Sequence, residues 1–327
     1  MNTIQKIGVF TSGGDAPGMN ACLRAVVRKA VSCGKEVVGI LRGYQGMIEG
    51  EFIELDSLAV SNIIQKGGTI LKCARSKEFH TKEGRAKAAA HLRIMKVDGL
   101  IAIGGDGTFE GAAVFYEEHG IPVIGCPGTI DNDLFGTDET IGFDTAINTA
   151  IQNIDKIRDT ADAHDRLFLV EVMGRDAGFI ALNCGIGGGA EMVMIPETLS
   201  DFNEIKTHIH SVMFEQQRSS IVVVAEGDEL GGATQIAGML REDKLFTDIE
   251  IRVCILGHTQ RGGSPSARDR VLASRLGVAA VDALLDGHSN VMVGIIDNQI
   301  KLTPSRNTYT RKKSISFDLL DLTKLLN

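Results

Sequence analysis

The sequence predicts an α/β protein built from parallel β-α-β units. Three observations carry this expectation. Short β-branched runs alternate with longer segments of helical period, glycines gather just after the apolar runs, and only 6 prolines interrupt 327 residues. That length is too great for one ordinary domain and sufficient for two, each with its own core. In chain order, 7–11 reads as a strand and 20–32 as the helix after it. Residues 37–41 read as a strand, 84–96 as an Ala-rich helix, 99–103 as a strand, and 121–125 as the strand closing a first series. A helix over 145–160 opens a second series: strand 167–172, a helix, strand 192–195, helix 202–214 and strand 221–225. A strand at 251–256 leads into a long helix over 267–285. No tandem repeat or low-complexity stretch interrupts the two series.

Composition narrows the function classes. Lys plus Arg number 34 against 42 Asp plus Glu, a net charge of −8. Nothing is left over to neutralise a nucleic-acid backbone or an anionic membrane, so neither is expected as a partner, and any phosphate site must be local. No apolar run approaches the roughly 18 residues that span a bilayer. The first six residues lack the apolar core of a signal peptide, so a cytoplasmic protein is expected. Cys22, Cys33, Cys73, Cys126, Cys184 and Cys254 are scattered with no C-x-x-C pair, as reduced structural thiols would be. His208 and His210 stand two apart in a helical segment, do not share a face, and are expected to be solvated.

Ligands of open α/β sheets collect at the carboxyl ends of strands, where the glycines of this chain stand. Ser12-Gly13-Gly14-Asp15-Ala16-Pro17-Gly18 follows the first strand as a tight turn of bare backbone N–H groups. Its glycines do not give G-x-G-x-x-G, and no Gly-Lys-Ser/Thr follows, so it is neither a dinucleotide fingerprint nor a Walker A loop. Gly104-Gly105-Asp106-Gly107-Thr108 follows another strand. Here Thr108 offers a hydroxyl and Asp106 a hard oxygen for Mg²⁺, although Asp106 as a plain helix N-cap is the competing reading. Pro127-Gly128-Thr129-Ile130-Asp131-Asn132-Asp133 places two carboxylates two apart. Phosphoryl transfer to a hydroxyl needs one carboxylate to accept the proton, with Mg²⁺ and fixed cations against the phosphates, and Asp131 and Asp133 could divide these roles. Arg175 after Met173-Gly174, and Arg252 and Arg261 in the 252–263 run, supply guanidinium groups that grip phosphate bidentately and suggest a second anion.

Together the segments TSGGDAPGMN at 11–20, GGDGT at 104–108, PGTIDND at 127–133, EVMGRDAG at 171–178 and LGHTQRGG at 256–263 resemble the motif series of the bacterial-type ATP-dependent 6-phosphofructokinases, in order and spacing. The resemblance runs from Ile7 to about Pro304. It implies two Rossmann-like three-layer α/β/α domains with mostly parallel sheets: a larger ATP-binding domain over 1–141 and 257–305, and a smaller fructose 6-phosphate-binding domain over 142–256 and 306–327. By that similarity Gly14, Tyr44, Cys73, Arg75, Gly105, Asp106, Gly107, Thr108 and Gly111 surround ATP, and Asp106 its Mg²⁺. Asp131 is the base, and Thr129, Asp133 and Arg175 complete the catalytic group. Met173, Gly174, Arg175, Glu226, His258 and Arg261 bind fructose 6-phosphate, with Thr129 and Asp131 beside it. Arg166 and Arg252 match positions that reach the sugar phosphate of a neighbouring subunit, which implies a homotetramer with intersubunit active sites.

A second anion site of the family, for ADP or phosphoenolpyruvate, is matched by Arg24, Arg28, Arg158, Gly189 and Glu191. An arginine of that pattern is replaced by Ser57, and its Lys/Arg-rich run reads EQQRSS at 215–220, so effectors are expected to act weakly. The alternatives are a pyrophosphate-dependent phosphofructokinase, a catalytically silent nucleotide sensor and an NAD kinase. Pyrophosphate users of the family typically carry Asp at the place of Gly107 and Lys at that of Gly128. A carboxylate at 107 would repel a nucleotide's α-phosphate, so the glycines favour ATP.

Overall fold

The computed structural model describes residues 4–163, 166–199, 201–215 and 220–326. The run 216–219, part of the segment expected to be poor in cations, lies outside the described residues. The chain begins β1 (Lys6–Thr11), α1 (Met19–Ser32), β2 (Glu36–Ile40), α2 (Gly43–Glu49), β3 (Phe52–Leu55), α3 (Lys82–Ile94), β4 (Gly99–Gly104), α4 (Asp106–His119), β5 (Val123–Pro127). It continues α5 (Phe143–Asp162), β6 (Leu167–Val172), α6 (Phe179–Gly187), β7 (Met192–Met194), α7 (Phe202–His210), β8 (Ser220–Ala225), α8 (Ala233–Glu242), β9 (Ile251–Ile255). It ends α9 (Ala267–Leu285), β10 (Val291–Ile296), β11 (Gln299–Pro304), α10 (Ser305–Thr310) and α11 (Phe317–Leu326). The helix expected over 202–214 stops at His210 and continues as one wider π-helical turn over Ser211–Glu215.

Seven strands form one sheet in the order β11-β10-β5-β4-β1-β2-β3, parallel except where the edge strands β3 and β11 run against β2 and β10. Its inner strands are buried on both faces, which is why they read as unbroken apolar runs. Alternation divides the two faces. Phe10, Val38, Ile40, Leu100, Ala102 and Val123 pack with Met47, Phe79, Leu92 and Phe115 of the α2 to α4 region, while α1 and α9 pack together on the other face. The β10-β11 hairpin turns at Asp297 and Asn298, both left-handed at φ 51° and 61°, the backbone a two-residue hairpin requires.

The second sheet is parallel throughout, in the order β7-β8-β6-β9. Leu167, Leu169, Val222 and Val224 of its strands bury against Ile236 and Leu240 of α8 and Ile205 and Ile209 of α7. By chain contacts one unit comprises 1–129, 134–145 and 261–313, and the other 130–133, 146–260 and 314–327. Residues 306–313, allotted by the sequence to the second domain, stay with the first because α10 packs on α4 and Tyr309 joins the cluster of Phe109, Leu134 and Met292. The histidines of α7 are not simply solvated: the His208 ring bonds the Glu191 carbonyl at 3.0 Å, and His210 stacks on Phe214. All six cysteines are free thiols.

Asp269, in the first turn of α9, is 1% exposed and ties α9 to the start of α5. It accepts hydrogen bonds from Gly142 N at 2.8 Å, Thr145 N at 2.8 Å and Thr145 Oγ1 at 2.5 Å, and so acts as a cap borrowed from a distant helix. Burial pushes its carboxyl above the ordinary range, and these donors pull it back. Asp269→Ala strands three buried donors and is expected to lower stability by about 2–4 kcal/mol in urea unfolding. A midpoint equal to that of the parent protein would show that water replaces the carboxylate.

Candidate active site

β1 sits mid-sheet, with β2 and β3 on one side and β4 and β5 on the other, so the loops leaving β1 and β4 part from adjacent strand ends and open a crevice. Ser12 N donates to Ile103 O at 3.0 Å. A Cβ at Gly104 would lie 2.4 Å from Thr108 Oγ1 and 2.6 Å from Ser12 O, so only glycine lets the two loops abut. Thr108 is 3% exposed, and its Oγ1 finds no hydrogen-bond partner among the described residues. A buried hydroxyl so placed in a glycine cradle suits an anionic oxygen. The N-cap of α4 is Gly105, which excludes the reading of Asp106 as the cap; Asp106 is the first helical residue.

Beside these loops lies a cleft of about 400 Å³. Gly13, Gly14 and Asp15 line it from the β1 loop, and Thr69, Lys72, Cys73, Ala74 and Arg75 from the segment before α3. Asn20 fastens that segment. Its Nδ2 donates to Lys66 O and Gly67 O at 3.1 and 3.2 Å, and its Oδ1 accepts from Ile70 N at 2.8 Å. Burial pushes the Cys73 thiol up, so it lines the cleft as a neutral group. Tyr44 lies beneath the loops. Its hydroxyl donates to Thr108 O at 2.6 Å, its ring stacks on Phe79, and a Cβ at Gly111 would meet that ring at 3.1 Å. Arg261, matched by resemblance to a sugar-phosphate ligand, packs on the β1 loop of its own unit and donates from Nη1 to Asp15 O at 3.2 Å.

In the second unit, the loops after β6 and β8 meet. Glu226 Oε1 accepts from Gly174 N at 3.3 Å and Arg175 N at 2.8 Å, fixing a turn in which Gly174 has φ 145° and Arg175 φ 52°. Arg175 Nε then stands 3.5 Å from Asp131 Oδ2, in a carboxylate only 3% exposed. Asp133 is half-buried, Met173 is buried, and His258 is exposed on the turn after β9. Thr129, the last residue of its segment in the first unit, is buried, and its carbonyl accepts from Thr140 Oγ1 at 2.6 Å. Arg166 and Arg252 meet on Glu250, which Arg166 Nε bonds at 2.6 Å and Arg252 Nη2 bonds on the other oxygen. The arginine charges hold the Glu250 carboxyl below its ordinary range.

Of the expected effector residues, Arg24 and Arg28 lie one turn apart on α1 in the first unit. Arg158 in the second donates from Nη1 to Glu191 Oε1 at 3.0 Å and from Nη2 to Gly188 O at 2.9 Å and to Gly189 O. The sequence reading assigned no role to Asn20, Thr69, Lys72, Thr140 or Glu250. Each acts across the chain on a partner that no local spacing reveals. Among the described residues no group of three or more His, Cys, Asp or Glu could hold a metal, and no helix is long and apolar enough to cross a membrane.

The family model described as phosphofructokinase matches residues 6–284. The chain belongs to the phosphofructokinase family. It is 57% identical over 323 residues to the ATP-dependent 6-phosphofructokinase 1 of Thermus thermophilus, covering 99% of both chains. Among solved structures, a phosphofructokinase of Saccharomyces cerevisiae matches with a TM-score of 0.87 and 34% identity over 98% of this chain and 46% of that one. A pyrophosphate-dependent phosphofructokinase from Marinobacter aquaeolei reaches a TM-score of 0.86 at 21% identity, over 99% of this chain and 91% of that one. That last likeness is one of fold alone, so the fold does not discriminate the phosphoryl donor.

Asn20→Ala frees the Ile70 amide and releases the lining segment from α1. Hydrogen exchange at 66–71 is expected to quicken about tenfold, with α4 unchanged. Unaltered exchange there would show that the segment holds itself.

Proposed function

We propose that this chain transfers the γ-phosphoryl group of ATP to the 1-hydroxyl of fructose 6-phosphate, giving fructose 1,6-bisphosphate and ADP in cytoplasmic glycolysis. The observation that carries the reading is the buried Asp131 carboxylate beside Arg175. The guanidinium 3.5 Å away is placed to orient this carboxylate, and a carboxylate is the group that can accept a hydroxyl proton. As the 1-hydroxyl oxygen attacks the γ-phosphorus, Asp131 takes its proton, while Arg175 offsets the negative charge of the transferring group. Thr108 Oγ1 and the backbone of the two glycine loops bind the phosphates of ATP, together with Arg75. Asp133 and Thr129 position the reacting groups, and Met173, Gly174, Glu226 and His258 hold the sugar, Glu226 through the turn it fixes.

Mg²⁺ suits the donor set. It takes few protein ligands and keeps water and phosphate oxygens, so one carboxylate, Asp106 at the start of α4, fits it where a cage of side chains would not be needed. When bound, Mg²⁺ would neutralise charge on the β- and γ-phosphates. Two positions support ATP over pyrophosphate. A Cβ at Gly107 meets nothing within 4 Å, leaving room for a nucleotide, and one at Gly128 would press on Ile103 Cγ2 at 3.0 Å and Met19 Cε at 3.1 Å, so a lysine there would require both side chains to shift. Arg252, exposed on the edge strand β9, and the half-buried Arg166, just before β6, complete the sugar-phosphate site of a neighbouring subunit in a homotetramer. A coupled assay of fructose 6-phosphate with ATP or pyrophosphate tests the whole reading, and turnover with pyrophosphate alone would overturn the choice of donor.

Asp131→Asn is expected to lower kcat by roughly 10²–10⁴ while both substrates still bind. Near-normal turnover would move the base elsewhere.

ADP and phosphoenolpyruvate bind weakly at an intersubunit site to which Arg24 and Arg28 and, separately, Arg158, Gly189 and Glu191 contribute. An incoming anion must compete with the carboxylate and carbonyls that already occupy Arg158, and the loss of two charged hydrogen bonds weakens binding by roughly 10²-fold or more. Fructose 6-phosphate saturation curves are therefore expected to shift little with either effector. A large sigmoidal shift at sub-millimolar phosphoenolpyruvate would reverse this conclusion.

A further inference from the structure

Lys72 occupies a backbone position made for glycine, in the wall of the cleft. Its φ is 60°, a left-handed conformation that an L side chain disfavours. The backbone imposes it. Lys72 N donates to Thr69 O at 3.2 Å, Lys72 O accepts from Thr11 Oγ1 at 3.0 Å, and Leu71 O accepts from Arg42 N at 2.8 Å. None of these bonds uses the lysine side chain, so glycine would make the same turn with less strain.

The side chain is exposed and pairs with no carboxylate among the described residues. Glu51 feels its charge, but that carboxylate is already gripped by Arg42 Nε and Nη2, both at 2.7 Å. Arg75, three residues on, is likewise exposed with no ion pair among the described residues. A chain of net charge −8 thus keeps two cations without an ion pair on one cleft, against the single Asp15 carboxylate in its lining, with the bare backbone of Gly13 and Gly14 and the Thr108 hydroxyl that has no partner close by. Fixed positive charge with unspent hydrogen-bond donors over a glycine loop is a site for a polyanion.

We propose that Lys72 is a nucleotide-binding residue of this chain, its ammonium contacting the polyphosphate of the nucleotide held in the cleft. The proposal rests on the reading of that cleft as the nucleotide site. It separates the side chain from the fold, because strain and binding make opposite demands. Replacing lysine by glycine relieves the backbone and weakens the ligand.

The test is calorimetric titration of the full-length protein with the non-hydrolysable analogue AMP-PNP and Mg²⁺, without fructose 6-phosphate, for the parent protein, Lys72→Gly and Lys72→Arg. Lys72→Gly is expected to weaken the analogue about tenfold, the effect of one charge-assisted hydrogen bond, with the ratio shrinking at high salt. Its thermal midpoint should equal or exceed that of the parent protein, and its KM for fructose 6-phosphate should stay within about twofold. Lys72→Arg should keep most of the affinity. Parental affinity in Lys72→Gly overturns the proposal. So does a weakened affinity accompanied by a lower thermal midpoint, which would mean that the side chain serves the fold through Glu51. A parent protein that fails to bind the analogue overturns the nucleotide reading, and this proposal with it.

Discussion

The contact between the loops after β1 and β4 is made by backbone. Ser12 and Gly104 approach so closely that a single methyl group at 104 would strike Ser12 O and Thr108 Oγ1 at once. Everything in the first unit's site is stacked on that contact. It puts the amino end of α4 and the bare turn of Gly13 and Gly14 on one side of the sheet, where N–H groups left over by both can converge on an anion. Tyr44 holds Thr108 from below through its carbonyl, and the hydroxyl of Thr108 is left for something above. The parallel order that splits β1 from β4 supplies the crevice, and glycine makes it narrow enough to bind.

The second unit solves a different problem by different means. There the site is made by charges, and the difficulty is to hold them. Glu226 spends its carboxylate on two backbone N–H groups so that Arg175 can keep a left-handed turn and point its guanidinium at Asp131. Glu250 does the corresponding work for Arg166 and Arg252 at the sheet edge, where two guanidinium groups would otherwise repel one another. In both places an acid orders arginines of the site: Glu226, which the resemblance had named as a sugar ligand, and Glu250, which the sequence left unassigned.

That contrast explains what was legible. The strands were, because burial on both faces makes them apolar throughout, and so were the glycine loops, because turns after strands have few other uses. β3, β10 and β11 were not read. β3 is only four residues long and buries Leu55 alone, and the β10-β11 turn uses Asp297-Asn298 in place of a glycine. Asp131 and Arg175 were legible as types, but their pairing depends on a chain separation that no spacing encodes. Arg261 was recognised through its motif, but its bond to the β1 loop, 246 residues away, was not visible in the sequence. Asn20 stood within a motif from the outset, and its bonds to 66–70 became visible only when the segment was folded against it.

Backbone strain alone does not mark a functional residue here. Arg42, Lys72 and Arg175 all carry a positive charge on a left-handed backbone near strand ends or loops. Arg42 is closed off by Glu49 and Glu51, so its strain supports a local ion cluster at the start of α2 and leaves no charge for a ligand. Arg175 shares its charge with Asp131 across 3.5 Å, a separation at which a guanidinium still directs a second anion. Lys72 has no such partner among the described residues, so its backbone is held by hydrogen bonds while its charge is left without an ion pair. What distinguishes the three is how far each charge is neutralised at home, and a strained cation left unneutralised in a cleft is compensated only when an anion arrives.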